Sequence, residues 1–236
     1  INMFYHSLFY DSTYILVIIG AIISAIASWN VNSTFKKYSK VRNSRNITGR
    51  QAAEMILQSA GIYDVTIERI SGNLTDHYSP NEKVLRLSDS VYNATSVAAL
   101  GVAAHECGHA IQHQVDYGPL TLRSISVPVA RFGSWLSWPL ILLGIILGRM
   151  PLAELGIILF IGVVLFQLIT LPVEFDASKR AIKILDGNGI LGGEELTGAK
   201  KVLSAAAMTY VAALFTSILQ LLRLVLIVQG NGRRRS

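Results

Sequence analysis

The feature that most constrains this chain is a set of four long apolar segments without a charged side chain, at residues 12–35, 132–148, 155–173 and 202–222. About 20 apolar residues span the hydrocarbon core of a bilayer as an α-helix. Hydrophobic residues make up 51% of the 236-residue chain and charged residues 15%, against about 25% in soluble domains. Four buried helices of this kind would exceed the core of a soluble protein of this size. The segments therefore predict membrane helices.

The first segment is either a signal peptide or an uncleaved anchor. Residues 25–27 (Ala-Ile-Ala) have the small side chains of a cleavage site, but no basic residue precedes the apolar run. Six basic residues and no acidic one follow it: Lys36, Lys37, Lys40, Arg42, Arg45 and Arg50. Because basic residues accumulate on the cytoplasmic side, this pattern favours an anchor whose C-terminal end enters the cytoplasm.

The second and third segments are separated only by residues 149–154, a link short enough to predict a membrane hairpin. The regions before residue 132 and after residue 173 are then on the same side of the membrane. The fourth segment has two interpretations. A simple crossing would put the basic tail at 233–235 outside, against the charge rule. A re-entrant or interfacial helix avoids this conflict.

The polar region between the first and second segments predicts a small α+β domain. Thr48 and Gln51 have the spacing of a capping box, and a helix-like apolar repeat follows them. Residues 64–70 and 83–87 alternate in the manner of strands, with turn residues at 71–73 and 79–82. From residue 96 an alanine-rich run indicates another helix. The predicted fold class is thus a mainly α membrane protein, with about four membrane helices and a short sheet.

The helix after residue 96 contains the pattern H-E-x-x-H, formed by His105, Glu106 and His109. Residues four apart lie on one face of a helix, so two imidazoles can bind one tetrahedral zinc ion. Glu106 is placed to take a proton from a water in the open zinc position. Cys107 is on another helix face and is predicted to be a small buried thiol. A solvent-facing helix is the alternative, but the flanking residues are almost all apolar.

A catalytic zinc site needs a third protein ligand. His113 is eight residues from His105, or about 12 Å along the axis, and so is expected on the helix surface or beside the site. No glycine follows in the position that a metzincin requires. Glu174 comes after the hairpin, behind Pro172, which predicts the first turn of a helix. Glu174 is either the third zinc ligand, as in His₂Glu sites, or a first-turn acidic residue whose negative charge the helix dipole stabilises.

These motifs resemble those of the YugP-like membrane zinc metallopeptidases. The similarity rests on residues 76–80 (DHYSP), 84–88 (VLRLS), 103–113 (AAHECGHAIQH) and 171–178 (LPVEFDAS), and it extends over most of the chain. These proteins are similar to the HtpX and CAAX prenyl endopeptidase group of gluzincins. That resemblance implies a gluzincin-like catalytic domain with Glu174 as the third ligand. It also implies an aspartate at the position of Ser178, where this chain departs from the pattern.

The resulting hypothesis is a zinc endopeptidase of the bacterial plasma membrane, with one zinc per chain and its site on or near the cytoplasmic face. Its partners would be the bilayer and polypeptide substrates, including membrane proteins. Five further residues are candidates for a supporting role in the transition state or beside the ligands: His77, Tyr78, His113, Asp176 and Arg180. An alternative for Arg180 is an ion pair with Asp176, four residues earlier. The strand at 83–87 could pair with substrate if it is a sheet edge.

The chain is expected to contain an anchor (1–35), a catalytic region (36–131), a hairpin (132–173), a helix with the third ligand (174–201) and a C-terminal apolar helix with a basic tail (202–236). One alternative function is an inactive zinc-binding membrane scaffold or assembly factor, which would not need Glu106. A metal transporter would place ligands inside the apolar segments, which hold no His, Asp or Glu. Nucleic-acid binding is disfavoured because the basic run adjoins a membrane segment.

Overall fold

The computed structural model describes residues 12–233, with side chains through residue 230. Within that range the chain forms six helices and three strands. In chain order these are α1 (Tyr14–Tyr38), α2 (Gly49–Ser59), β1 (Thr66–Ile70), β2 (His77–Ser79), β3 (Val84–Ser88), α3 (Val97–Gln114), α4 (Gly118–Ile146), α5 (Met150–Gly187) and α6 (Gly193–Arg233). The predicted fold class, mainly helical with a short sheet, is confirmed.

Four of the helices, α1, α4, α5 and α6, are long and apolar enough to cross a membrane. The prediction that a new helix starts at Pro172 is wrong, because α5 continues through Pro172 to Gly187 without interruption. Helix α4 likewise contains Pro128 and Pro139. A proline removes one backbone hydrogen bond, and membrane-length helices tolerate this loss because neighbouring groups satisfy the freed carbonyl.

One compact unit comprises residues 12–27, 122–170 and 210–233. Its core contains Ile141 and Ile145 of α4, Ala153 of α5 and Leu224 of α6. Helices α4 and α5 approach closely at Gly144, where an added Cβ would lie 2.4 Å from the backbone nitrogen of Ala153. Many large apolar side chains on the outside of this unit are exposed, as expected for lipid-facing positions. Residues 147–149 alone separate α4 from α5, consistent with a hairpin.

The second compact unit comprises residues 28–121 and 171–209. Helix α2 begins with the predicted capping box, in which Thr48 accepts from the backbone N–H of Gln51 and the Gln51 side chain accepts in return from the backbone N–H of Thr48.

The sheet of this unit has the order β1-β3-β2, with β1 parallel and β2 antiparallel to β3. The strand near residues 83–87 is therefore not a sheet edge, so the condition for its pairing with substrate is not met. The buried side chains of β3, such as Leu85 and Leu87, explain its central position.

Helix α3 lies in the core of this second unit. Ser96 caps its first turn by accepting from the backbone N–H of Ala99. Thirteen of its eighteen residues are buried, which agrees with a sequence that is apolar nearly all round. Gly108 allows α5 to approach, since an added Cβ there would lie 2.6 Å from the carbonyl oxygen of Ala177. The glycine inside the H-E-x-x-H pattern thus permits the contact between the two helices that carry the candidate site.

Candidate metal centre

Three side chains from two helices converge in the second unit. His105 and His109 are on α3 and Glu174 is on α5, and one potential ligand atom of each lies within 4.8 Å of the others. The Glu174 Oε2 atom is 3.2 Å from His105 Nε2 and 3.7 Å from His109 Nε2. The Glu174 side chain is only 2% exposed. These three residues could therefore hold a metal ion.

The separations fit the geometry of zinc. Two ligand atoms bound to a tetrahedral zinc at 2.0–2.1 Å lie about 3.3 Å apart. The two separations of Glu174 Oε2 from the histidine nitrogens, 3.2 Å and 3.7 Å, are close to that value. The donor set of two imidazoles and one carboxylate is also one that catalytic zinc sites use. A fourth position would remain open for water or substrate.

Each histidine is also hydrogen-bonded through its other ring nitrogen. The Nδ1 atom of His105 is 3.2 Å from the hydroxyl oxygen of Ser178, and the Nδ1 atom of His109 is 3.0 Å from Oε1 of Gln112. A ring N–H at Nδ1 donates to these oxygens, which leaves the lone pair of Nε2 for a metal. Ser178 therefore occupies the supporting position for which the resemblance implies an aspartate.

Gln112 was not among the predicted site residues, although its side chain is completely buried. Its amide nitrogen donates to the Val173 carbonyl oxygen at 2.8 Å and to Asp176 at 2.9 Å. The same amide group thus joins His109 on α3 to the turn of α5 that carries Glu174. Its spacing could have identified Gln112 from the sequence, because it follows His109 by three residues and so lies on the same helix face.

Asp176 and Arg180 form the ion pair that the sequence offered as an alternative role for Arg180. The Arg180 guanidinium also lies over the ring of Tyr117, 5.6 Å from its centre. Among the described residues, Asp176 is linked to His109 through Gln112, so its part in the site is indirect. The Arg180 guanidinium therefore contacts Asp176 and Tyr117.

Glu106 is nearly buried, with 8% exposure, and follows His105 directly on α3. Nearby, Asp76 accepts hydrogen bonds from the backbone N–H and the hydroxyl of Ser88. Burial raises the pKa of the Asp76 carboxyl, and the negative charge of Glu106 adds to this effect.

Cys107 is completely buried, as predicted, and this burial raises the pKa of its thiol.

Two of the remaining candidates, Tyr78 and His113, contact each other. The Tyr78 hydroxyl is 2.9 Å from Nδ1 of His113, and burial raises the pKa of Tyr78. His77 Nδ1 is 2.9 Å from the Thr75 carbonyl oxygen. Among the described residues, none of these three belongs to the converging ligand group. Tyr78 and His113 instead line a cavity of about 540 Å³ beside β2 and the end of α3.

Comparison with known proteins places the chain among zinc metallopeptidases, in agreement with the group formed by His105, His109 and Glu174. Residues 13–229 match the model of a family described as "Putative neutral zinc metallopeptidase". A protein of Bacillus subtilis (strain 168) named "Putative membrane protease YugP" is 50% identical over 221 residues, which is 93% of this chain and 98% of that protein. No solved structure matches significantly. On the strength of the family match over most of its length, this chain belongs to the neutral zinc metallopeptidase family.

Proposed function

We propose that this protein is a membrane-embedded endopeptidase that uses one zinc ion held by His105, His109 and Glu174. The observation that carries the proposal is the convergence of three ligand atoms within 4.8 Å. In addition, the hydrogen bonds of Ser178 and Gln112 direct the two Nε2 atoms towards one point. The family description and the name of the Bacillus relative support a peptidase of this kind.

The chemistry follows from the types of residue present. Bound zinc would polarise the scissile carbonyl and lower the pKa of a water to about 7. The carboxylate of Glu106 accepts a proton from the attacking water and then delivers it to the leaving amine. Its near-complete burial removes competing bulk water from the carboxylate. Glu174 and the two histidines stay in place during this transfer because α3 and α5 are in close contact at Gly108.

An extended substrate would pair with β2 rather than with the central strand β3. Strand β2 pairs with β3 along one side and is also in contact with α3, the helix that carries Glu106. An edge strand next to a catalytic helix can bind a substrate backbone while leaving the side chains free. This mode of binding would make cleavage depend more on an unfolded segment than on one particular sequence.

The proposed location is the bacterial plasma membrane, with the site at the cytoplasmic face. The support is the basic run after the apolar part of α1 and the positive-inside bias. The name of the Bacillus relative, "Putative membrane protease YugP", is in keeping with membrane proteins as substrates. Four membrane-length helices in the described chain agree with a multi-pass membrane protein.

The test combines zinc content with peptidase activity in detergent-purified protein. Wild type is expected to hold one zinc per chain and to cleave an unfolded polypeptide such as reduced casein. Glu106→Gln should keep its zinc and lose activity by about 100-fold or more, because general-base catalysis contributes 10²–10⁴-fold. Glu174→Ala should lose most of its zinc, and Glu68→Gln, an exposed matched control, should change neither property.

Three outcomes would contradict the proposal. Full zinc content in Glu174→Ala would remove Glu174 as a ligand. Unchanged casein cleavage by Glu106→Gln would remove Glu106 as the base. A zinc-loaded wild type that cleaves no polypeptide, including reconstituted membrane proteins, would favour the alternative of an inactive scaffold.

A further inference from the structure

A second cavity lies apart from the metal centre, between the C-terminal end of α1 and the N-terminal part of α6. Its volume is about 560 Å³. The α1 positions that line it are 30, 34, 37 and 38, and the α6 positions are 197, 200, 201, 204, 205 and 208. Both sets recur at intervals of three and four residues, so each comes from a single helix face. The cavity is therefore a groove between two facing helix surfaces.

The lining is strongly basic. Three lysines contribute to it, Lys37, Lys200 and Lys201, and the lining contains no acidic residue. Within residues 12–233 no ion pair links any of these lysines to a carboxylate. Thr34 and Ser204 add hydroxyl groups that can donate hydrogen bonds. Uncompensated ammonium groups next to hydroxyl donors are suited to bind a phosphate group.

The groove is shaped by close packing at its base. Tyr38 contacts Gly198, where an added Cβ would lie 2.7 Å from two carbons of the tyrosine ring. Lys37 lies near the same ring, with Nζ 5.6 Å from its centre. Ala205 and Met208 supply an apolar end to the lining. A ligand that fits this groove would combine an anionic head with an apolar part.

The position of the groove along each helix indicates the source of such a ligand. In α1 the lining residues follow the apolar stretch, which ends near Trp29, a side chain that is 72% exposed. In α6 they cover the turns where the charged start gives way to the apolar segment from residue 202. Tryptophan and lysine are enriched at this level, where the headgroups of a bilayer are found.

We propose that this groove binds the phosphate headgroup of an anionic phospholipid. The three lysines and the hydroxyl groups would bind the phosphate, and Ala205 and Met208 would contact the start of an acyl chain. Basic pockets between membrane helices on the cytoplasmic side bind anionic headgroups in this way. Free inorganic phosphate offers a phosphate anion without the apolar part, and so it serves as the competing ligand in the test.

The experiment titrates the full chain in nonionic detergent with phosphatidylglycerol and counts the bound lipid by native mass spectrometry. Wild type is expected to retain one phosphatidylglycerol per chain in preference to phosphatidylcholine. The triple variant Lys37→Gln, Lys200→Gln, Lys201→Gln should bind it on the order of a hundredfold more weakly, since each lysine contributes about 1 kcal/mol. The matched control is Lys36→Gln, Lys40→Gln, Lys183→Gln, which removes the same charge outside the groove and should bind within about twofold of wild type.

A second variant tests the cavity without changing charge. Ser204→Trp would fill the groove from an exposed position of α6 and should also abolish retention of phosphatidylglycerol, while the melting temperature verifies folding. Equal weakening in both lysine triples would overturn the proposal in favour of general attraction to anionic lipid. Equal binding of phosphatidylcholine would also overturn it. Displacement of the lipid by inorganic phosphate at similar concentration would assign the groove to free phosphate.

Discussion

Gly108 on α3 lies directly against Ala177 on α5, and a Cβ at Gly108 would be 2.6 Å from the Ala177 carbonyl oxygen and 3.1 Å from its Cα. Glu174 is three residues before Ala177, on the adjoining turn of α5. Both histidines of the candidate site flank Gly108 on α3, so the distance between the helices controls the distances between the potential ligand atoms.

Gly108→Ala is therefore expected to separate α3 from α5 and to weaken zinc binding at least tenfold. Overpacking of this kind costs about 1–3 kcal/mol, and the contact here is with backbone that cannot rotate away. Zinc affinity from competition with a chelator and the melting temperature together measure the effect. The matched control is Gly101→Ala on the same helix, where an added Cβ would lie 3.5 Å from Ala199, an ordinary contact. That control should retain zinc binding, and equal behaviour of the two variants would contradict the prediction.

Gln112→Ala is expected to lower zinc affinity while leaving all three proposed ligands in the chain. The amide of Gln112 accepts from His109 Nδ1 and donates to Val173 and Asp176, so its loss frees the imidazole to rotate. Removing a supporting hydrogen bond to a ligand histidine usually costs 10–100-fold in metal affinity, and we expect about that range here. Chelator competition well below the melting temperature separates this effect from unfolding. Gln114→Ala, two residues later and exposed, is the control; zinc affinity equal to wild type in Gln112→Ala would disprove the role.

The stability of the protein should depend on pH in opposite directions at two aspartates. Burial raises the pKa of Asp76 in the folded state, so the wild type loses stability as pH rises from about 3.9 through that higher value. Asp76→Asn has no such charge to bury. The melting temperature of Asp76→Asn minus that of wild type should therefore increase between pH 4 and pH 7, measured with chelator present.

Asp89 is the control with the opposite sign. The hydrogen bond from Arg69 and the backbone N–H of Gly72 lower the pKa of Asp89. The ionised carboxylate stabilises the fold above its unfolded pKa, and this contribution disappears as pH falls. The deficit in melting temperature of Asp89→Asn should accordingly be largest near neutral pH. Parallel pH profiles for the two variants would contradict both assignments.

Several local features were predictable because they depend on neighbours in the chain. The capping box at Thr48 and the helix that contains the H-E-x-x-H pattern are confirmed, as are the four membrane-length helices. The start of a helix at Pro172 was predicted wrongly. The usual rule that proline begins or ends a helix applies to water, whereas α5 is an apolar helix of membrane length.

The sheet shows the limit of such local patterns. Alternation identified the strands near residues 64–70 and 83–87 but not their order, and β3 proved to be the central strand. Strand order depends on which surfaces are buried together. The alternation of a short strand next to a helix does not specify that choice.

The sequence by itself determined that this is a helical membrane protein, since segment length and the absence of charge suffice for that conclusion. It also determined that His105 and His109 share a helix face, because their spacing matches the helical repeat. Only the tertiary structure decided which side chains of another helix contact them. Ser178 is 73 residues from His105, and Glu174 is 69 residues from the same histidine. Contacts over such separations depend on how α3 and α5 approach at Gly108, which is a property of packing and not of local sequence.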